Sequence, residues 1–160
     1  MRSLPLIAAL LGVAAALSLR RTRWSTASLW ASRLAYGLLV LQLPAYFLAK
    51  SSFQVSAPVC QWTFGLALAQ HSLTNYPHIV LFAVFFLLTY AQLPGHQRAA
   101  VWSMTATLAF GLLLELLQGA TGEGNCRMRD LIPDSAGGLI GYALILAGRK
   151  VSLFLPEHRR

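Results

Sequence analysis

The sequence predicts an all-α protein, an integral membrane bundle of about five transmembrane helices, on three observations. The chain of 160 residues is 56% hydrophobic and only 11% charged, with a mean hydropathy of +0.57, which is too apolar for an ordinary soluble domain. Its apolar residues fall into runs that approach the ~20 residues needed to cross ~30 Å of hydrocarbon as helix. No sustained period-two alternation appears, which argues against a β-barrel.

The first run, residues 4–19, lies between Arg2 and the group Arg20, Arg21 and Arg23. The second covers residues 34–49, with a start extending back toward Ser28 and a kink expected at Pro44, whose ring removes a helical hydrogen bond. Residues 78–93 form the third, extended by the interface-preferring Tyr76 and stopped by Pro94 and Gly95. The fourth, residues 99–117, carries Glu115 in its last turn, and the fifth begins after Pro133 and ends near Gly148, before Arg149 and Lys150. Apart from a Pro- and Gly-punctuated stretch over residues 51–77, the connections are brief, and a single domain spanning residues 1–160 is expected.

If all five runs span, one side of the membrane holds nine basic residues: Arg20, Arg21, Arg23, Arg33, Arg98, Arg149, Lys150, Arg159 and Arg160. The other holds four: Arg2, Lys50, Arg127 and Arg129. The positive-inside rule then makes the chain a multi-pass cell-membrane protein with its N-terminus outside and its C-terminus cytoplasmic. The rival reading of residues 1–19 as a cleaved signal peptide rests on Arg2, the apolar stretch and Ala14, Ala15 and Ala16, and it would set Arg20, Arg21 and Arg23 outside, against that bias. The net charge of +8 does not imply nucleic acid, because the basic residues sit in short groups between apolar runs instead of lining one face. Membrane lipids with anionic headgroups are the expected partners.

Function is expected where the lipid-adapted pattern breaks. Four of the five acidic residues, Glu115, Glu123, Asp130 and Asp134, fall within twenty consecutive positions. Carboxylates are costly beside hydrocarbon, so they should face a protein interior or a wet cavity. Glu115 and Gln118 are three apart at one helix end, and Asp130 and Asp134 are four apart where the next helix begins, so each pair shares a face. The glycine-rich, polar stretch 119–126 between them is read as a turn that brings the faces together. Gly137 and Gly141, also four apart, should let the fifth run pack closely on the fourth. Cys60 and Cys126, the only two cysteines, lie in loops on the same outer face. They form either a disulfide or two unrelated small apolar positions.

Glu115-x-x-Gln118, followed by Asp130-x3-Asp134-x2-Gly137-x3-Gly141, resembles the VanZ-like family of small membrane proteins, linked to teicoplanin resistance. The motif-bearing part is residues 74–142. Asp134 stands where that family usually has Asn, and Gly124 where it has Arg, a role that Arg127 or Arg129 could take from a shifted position. Of a second family element, Asp-Lys-x-x-His, only His78 is kept, with Thr74 and Asn75 at the charged positions. The resemblance implies envelope biology and glycopeptide tolerance but no reaction.

The expected binding set is therefore His78, Glu115, Gln118, Arg127, Arg129, Asp130 and Asp134. Each has a plainer alternative: Glu115 as an anchor paired with Arg127 or Arg129, Gln118 as an interhelical hydrogen-bonding group, Asp130 as a helix cap, Asp134 as an arginine partner and His78 as an interfacial aromatic. His71, His96 and His158 read as loop residues, and Phe82, Phe85, Phe86 and Tyr90 as a lipid-facing or packing surface. Two functions fit. In one, the outer cluster binds an anionic lipid headgroup or lipid-linked envelope precursor, or docks another membrane protein. In the other, His78 and the carboxylates act as acid and base, or hold Mg²⁺ or Mn²⁺, in hydrolysis or transfer of such a headgroup. No cofactor fingerprint, closed metal-ligand spacing or nucleophile elbow is present in the sequence, so no cofactor or metal is assigned.

Overall fold

The structure is a computed structural model that describes residues 25–123 and 125–154. The first apolar run, residues 4–19, lies outside the described residues, as does the choice between a first span and a signal peptide. In order, the elements are α1 (Ser25–Lys50), β1 (Cys60–Gln61), α2 (Leu66–Ser72), α3 (Tyr76–Ala91), α4 (Ala99–Thr121), β2 (Cys126–Arg127), a 3-10 turn (Met128–Asp130) and α5 (Leu131–Phe154). Three helices are long and apolar enough to cross a membrane, and α2 with α3 makes a fourth candidate, bent by 69° at their junction. The protein is thus a helical membrane protein, and the four later runs of the sequence each appear as a helix.

The helices form because the runs are apolar, with Pro44 of α1 the one proline well inside a described helix, and their ends follow local chemistry. Pro77 sits in the first turn of α3, where its missing N–H costs nothing. Gly122, with φ of 67°, provides the left-handed residue that ends α4. That helix runs to Thr121, beyond the expected stop at 117, because Gly119 is retained within it: the bare Cα lets Cys126 come close, and an added Cβ would meet the Cys126 Cβ at 2.8 Å. α5 starts at Leu131, before the expected start after Pro133, because proline is tolerated in a first helical turn. Pro44 lies inside α1.

The core between α1, α3 and α4 contains Leu39, Phe82, Phe85, Leu88, Phe110 and Leu114, and the Phe85 and Phe110 rings stack at 4.5 Å. Phe82, Phe85 and Phe86 are therefore packing residues. The fifth run does pack on the fourth, but α5 makes its more extensive contact with α3, and it is α3 that Gly137 and Gly141 face. A Cβ on Gly137 would lie 2.9 Å from the Ala83 backbone nitrogen and would also strike the Ile79 carbonyl oxygen. On Gly141 it would lie 3.0 Å from the Ala83 carbonyl oxygen. Lipid tails are as apolar as the helix surfaces, so close backbone approach of this kind, and not a hydrophobic driving force, holds such helices together.

A further correction concerns residues 51–77, read as a loop. They contain α2, which takes in His71, and β1, which pairs in parallel with β2 in the register Cys60 to Cys126 and Gln61 to Arg127. The two cysteines are bonded, with Cα atoms 4.6 Å apart. The same corner is tied by the Ser56 N–H donating to the Ala120 carbonyl at 2.8 Å and by an ion pair of Lys50 with Glu123. The C-terminal end of α1, the N-terminal end of α3, the C-terminal end of α4 and the start of α5 therefore share one end of the bundle.

Candidate functional site

At that end two carboxylates are withdrawn almost completely from the surface: Glu115 and Asp134 are each 1% exposed. Each needs a partner, since an unpaired buried charge costs several kcal/mol. Glu115, in the last turns of α4, accepts a hydrogen bond from the backbone N–H of Arg127 at 2.6 Å. The expected anchoring of Glu115 by an arginine guanidinium is corrected: the peptide N–H of β2 does it. A main-chain donor is available here because the disulfide and the two-residue ladder hold β2 against the end of α4.

Asp134, one turn into α5, meets His78 of α3, with Oδ1 3.0 Å from Nδ1. Its partner is thus a histidine and not an arginine. The close α3–α5 approach made by Gly137, three residues on, sets the two side chains at this distance. The second oxygen, Oδ2, is buried without a hydrogen bond and lies over Gly111 of α4, where any Cβ would collide with it. Asp130, in the 3-10 turn, accepts from the Ser72 hydroxyl of α2 at 3.4 Å, in place of the expected cap. Gly111, over which the Asp134 Oδ2 lies, stands about one helical turn before Glu115, so the two buried carboxylates neighbour the same face of α4.

Five of the seven expected residues thus converge: His78, Glu115, Asp130 and Asp134 through side chains, and Arg127 through its main chain. The Arg127 side chain is partly buried, and its Nε is buried without a hydrogen-bond partner. Gln118 and Arg129 are partly buried on the same elements, and among the described residues no hydrogen bond or ion pair joins either to this cluster. Two participants were not foreseen. Gly111 stands four residues before Glu115, on the same helical face, so its spacing was a usable signal. Ser72 had none, since it lies in a helix that the composition of residues 51–77 does not announce.

With Nδ1 engaged by Asp134, the Nε2 of His78 is the ring nitrogen left to meet a ligand, the arrangement in which a carboxylate orients an imidazole for proton transfer. Among the described residues no three or more His, Cys, Asp or Glu side chains are arranged to hold a metal ion. Acid–base work or hydrogen bonding is what this geometry can supply.

Comparison with known proteins identifies a relationship across nearly the whole chain. The model of the VanZ/LLP1 family matches residues 6–153. No curated protein and no solved structure matches.

Proposed function

Because the chain belongs to the VanZ/LLP1 family, we propose that it acts in the cell envelope, binding at this cluster the headgroup of an anionic envelope lipid or lipid-linked precursor and so contributing to glycopeptide tolerance of the teicoplanin type. The observation that carries this reading is a set of polar atoms, buried at a helix-bundle end, that protein groups leave unpaired: the Arg127 Nε as donor and the Asp134 Oδ2 as acceptor. Buried polar atoms are nearly always matched, and unmatched ones call for a ligand or a functional explanation. A phosphate would accept from the Arg127 guanidinium. Hydroxyl or ammonium groups of the same headgroup would donate to Asp134, which is why a phosphate-bearing sugar or amine headgroup fits better than a bare anion.

The side of the membrane follows from two supports. A disulfide persists in an oxidising compartment, which favours the outer face for this end of the bundle. Arg33, Arg98, Arg149 and Lys150 belong by sequence to the opposite end, against Lys50, Arg127 and Arg129 at this one, a bias in the direction of the positive-inside rule.

The test compares purified Arg127→Gln, Glu115→Gln and Asp134→Asn with the parent for thermal stability and for lipid retained through purification, read by native mass spectrometry. Arg127→Gln should fold and lose most retained phospholipid. Asp134→Asn should be the mildest, because Asn preserves shape and an acceptor. Equal lipid retention in all four proteins would show the cluster to be a structural anchor.

The His78–Asp134 contact favours one second reading, a hydrolase or transferase acting on the same headgroup. His78→Gln separates the two: if the protein is an enzyme, turnover of a lipid-linked phosphate substrate stops while lipid retention persists. A docking role toward another membrane protein would instead leave both unchanged and alter cross-linking.

A further inference from the structure

Residues 51–76 carry no Asp, Glu, Lys or Arg and are tied to the site's end of the bundle by the Cys60–Cys126 bond. Phe53, Val59, Trp62, Phe64, Leu66 and Tyr76 are all exposed, Val59 at 83% and Trp62 at 70%. So many large apolar side chains exposed within one short stretch are rarely left in water by a soluble protein and mark an interaction face. Its chemistry is particular: aromatic side chains, small polar groups and no formal charge, the composition that gathers where headgroups meet acyl chains.

Its depth can be placed from the covalent frame. The 23 residues of α4 rise ~34 Å at ~1.5 Å each, about the thickness of the hydrocarbon layer. The end of α4 at Thr121 and the start of the next span at Met128 therefore lie near one membrane boundary. Cys60 is bonded to Cys126 between them. A chain extends at most ~3.5 Å per residue and the Cys60 and Cys126 Cα atoms are 4.6 Å apart, so Trp62 stands within roughly 12 Å of the Cys126 level and Phe64 within roughly 19 Å. The short helix α2 follows, turned 69° away from α3, which lays it nearer the membrane plane than the normal if α3 has an ordinary tilt of about 20°. Phe53 holds the left-handed conformation, at φ of 61°, an uncommon one for an aromatic residue. Its N–H donates to the Leu48 carbonyl at 2.8 Å, so the turn after α1 holds the ring outward.

We propose that residues 53–66, with Tyr76, form a lipid-interface anchor, covered by the headgroup and upper acyl region of the leaflet on the site's side. The anchor is joined to the cluster: Ser72, at the end of α2, is buried and donates to Asp130. Seating α2 in the interface therefore sets Asp130 and His78 at headgroup depth. The proposal rests on the membrane-spanning reading alone and not on what the cluster binds.

The test uses the full chain with Trp24, Trp30 and Trp102 replaced by Phe, so that Trp62 is the sole tryptophan, reconstituted in phosphatidylcholine vesicles. An intact Cys60–Cys126 bond reports that the protein is folded. Trp62 emission should be quenched by lipid brominated near the headgroup end of its acyl chain. Quenching by iodide on both sides should be roughly threefold weaker than for a free tryptophan peptide, as for an interfacial side chain. Full iodide quenching without a bromolipid effect would overturn the anchor and show a water-facing surface open to a protein partner. Strongest quenching by lipid brominated near the chain end would also overturn it, in favour of a hairpin that enters the bilayer core. Phe64→Trp, with Trp62 also replaced by Phe, repeats the measurement two residues on and must agree.

Discussion

Glycine at 137 matters for what it lacks. The atoms that its Cβ would meet belong to the α3 backbone, at Ala83 and Ile79, and a backbone held in a helix cannot step aside as a flexible side chain can. Gly137→Ala should therefore force α3 and α5 apart, at a cost of about 1–3 kcal/mol, the range for overpacked sites. Gly37, inside α1, has nothing within 4 Å of the same hypothetical atom. Gly37→Ala should be neutral or stabilising by roughly 0.5–1 kcal/mol, since alanine loses less conformational freedom in a helix. Thermal unfolding in detergent, with both variants beside the parent, checks the pair. Equal Tm shifts would mean that close α3–α5 contact is not what Gly137 provides. The same contact positions His78 against Asp134, so Gly137→Ala should also perturb the histidine ¹⁵N resonances of that pair.

At the scale of elements, the junction of β1 with β2 is too short to hold itself: two residues on each side form the ladder. The disulfide makes it stable, closing a sequence separation of 66 residues. For a free chain a loop of that length corresponds to about 4 kcal/mol of lost unfolded-state entropy. Helices already inserted in lipid have less entropy to lose, so the stabilisation should be smaller here. The double variant Cys60→Ser with Cys126→Ser is expected to lower Tm and to speed amide exchange at Ser56 and Arg127, whose N–H groups depend on this corner. The His78–Asp134 contact should survive, because α3 and α5 hold it independently of β1. Loss of the histidine signature together with the corner would show that the two halves of the cluster are one cooperative unit. The Lys50–Glu123 ion pair adds little, since its lysine is half exposed and solvent screens it.

For the molecule as a whole, the disulfide-bearing end should face outward and the end with Arg33 and Arg98 inward. Cys126→Ser leaves Cys60 as the only thiol, on a partly exposed strand. In intact cells it should react with an impermeant maleimide, whereas a cytoplasmic reporter fused after Arg160 should be active. Maleimide protection until the cells are opened, together with an inactive reporter, would reverse the orientation and place the cluster on the cytoplasmic side.

Solvent and element type were legible in the residues themselves. Runs at 34–49, 78–93 and 99–117 are predominantly apolar, and such runs leave helix as the structure that satisfies every peptide group within lipid. Helical periodicity put Glu115 and Gln118 on one helix, but Asp130 lies in a 3-10 turn ahead of the helix that carries Asp134, and the two carboxylates have different partners. Pairings across space were not legible. Periodicity states which residues share a face but not which helix that face meets, so Gly137 and Gly141 could be assigned to close packing yet not to α3. The partners of the carboxylates were hidden for the same reason: charge complementarity pointed Glu115 to an arginine side chain, whereas the bond goes to the Arg127 peptide N–H, a donor that every residue but proline carries. Ser72 and the course of residues 51–77 depended on the disulfide, a covalent constraint between positions far apart in the chain. Local composition determines which segments leave water; only tertiary packing decides which buried polar atoms find one another and which, like the Asp134 Oδ2 and the Arg127 Nε, are left without a hydrogen bond from the protein.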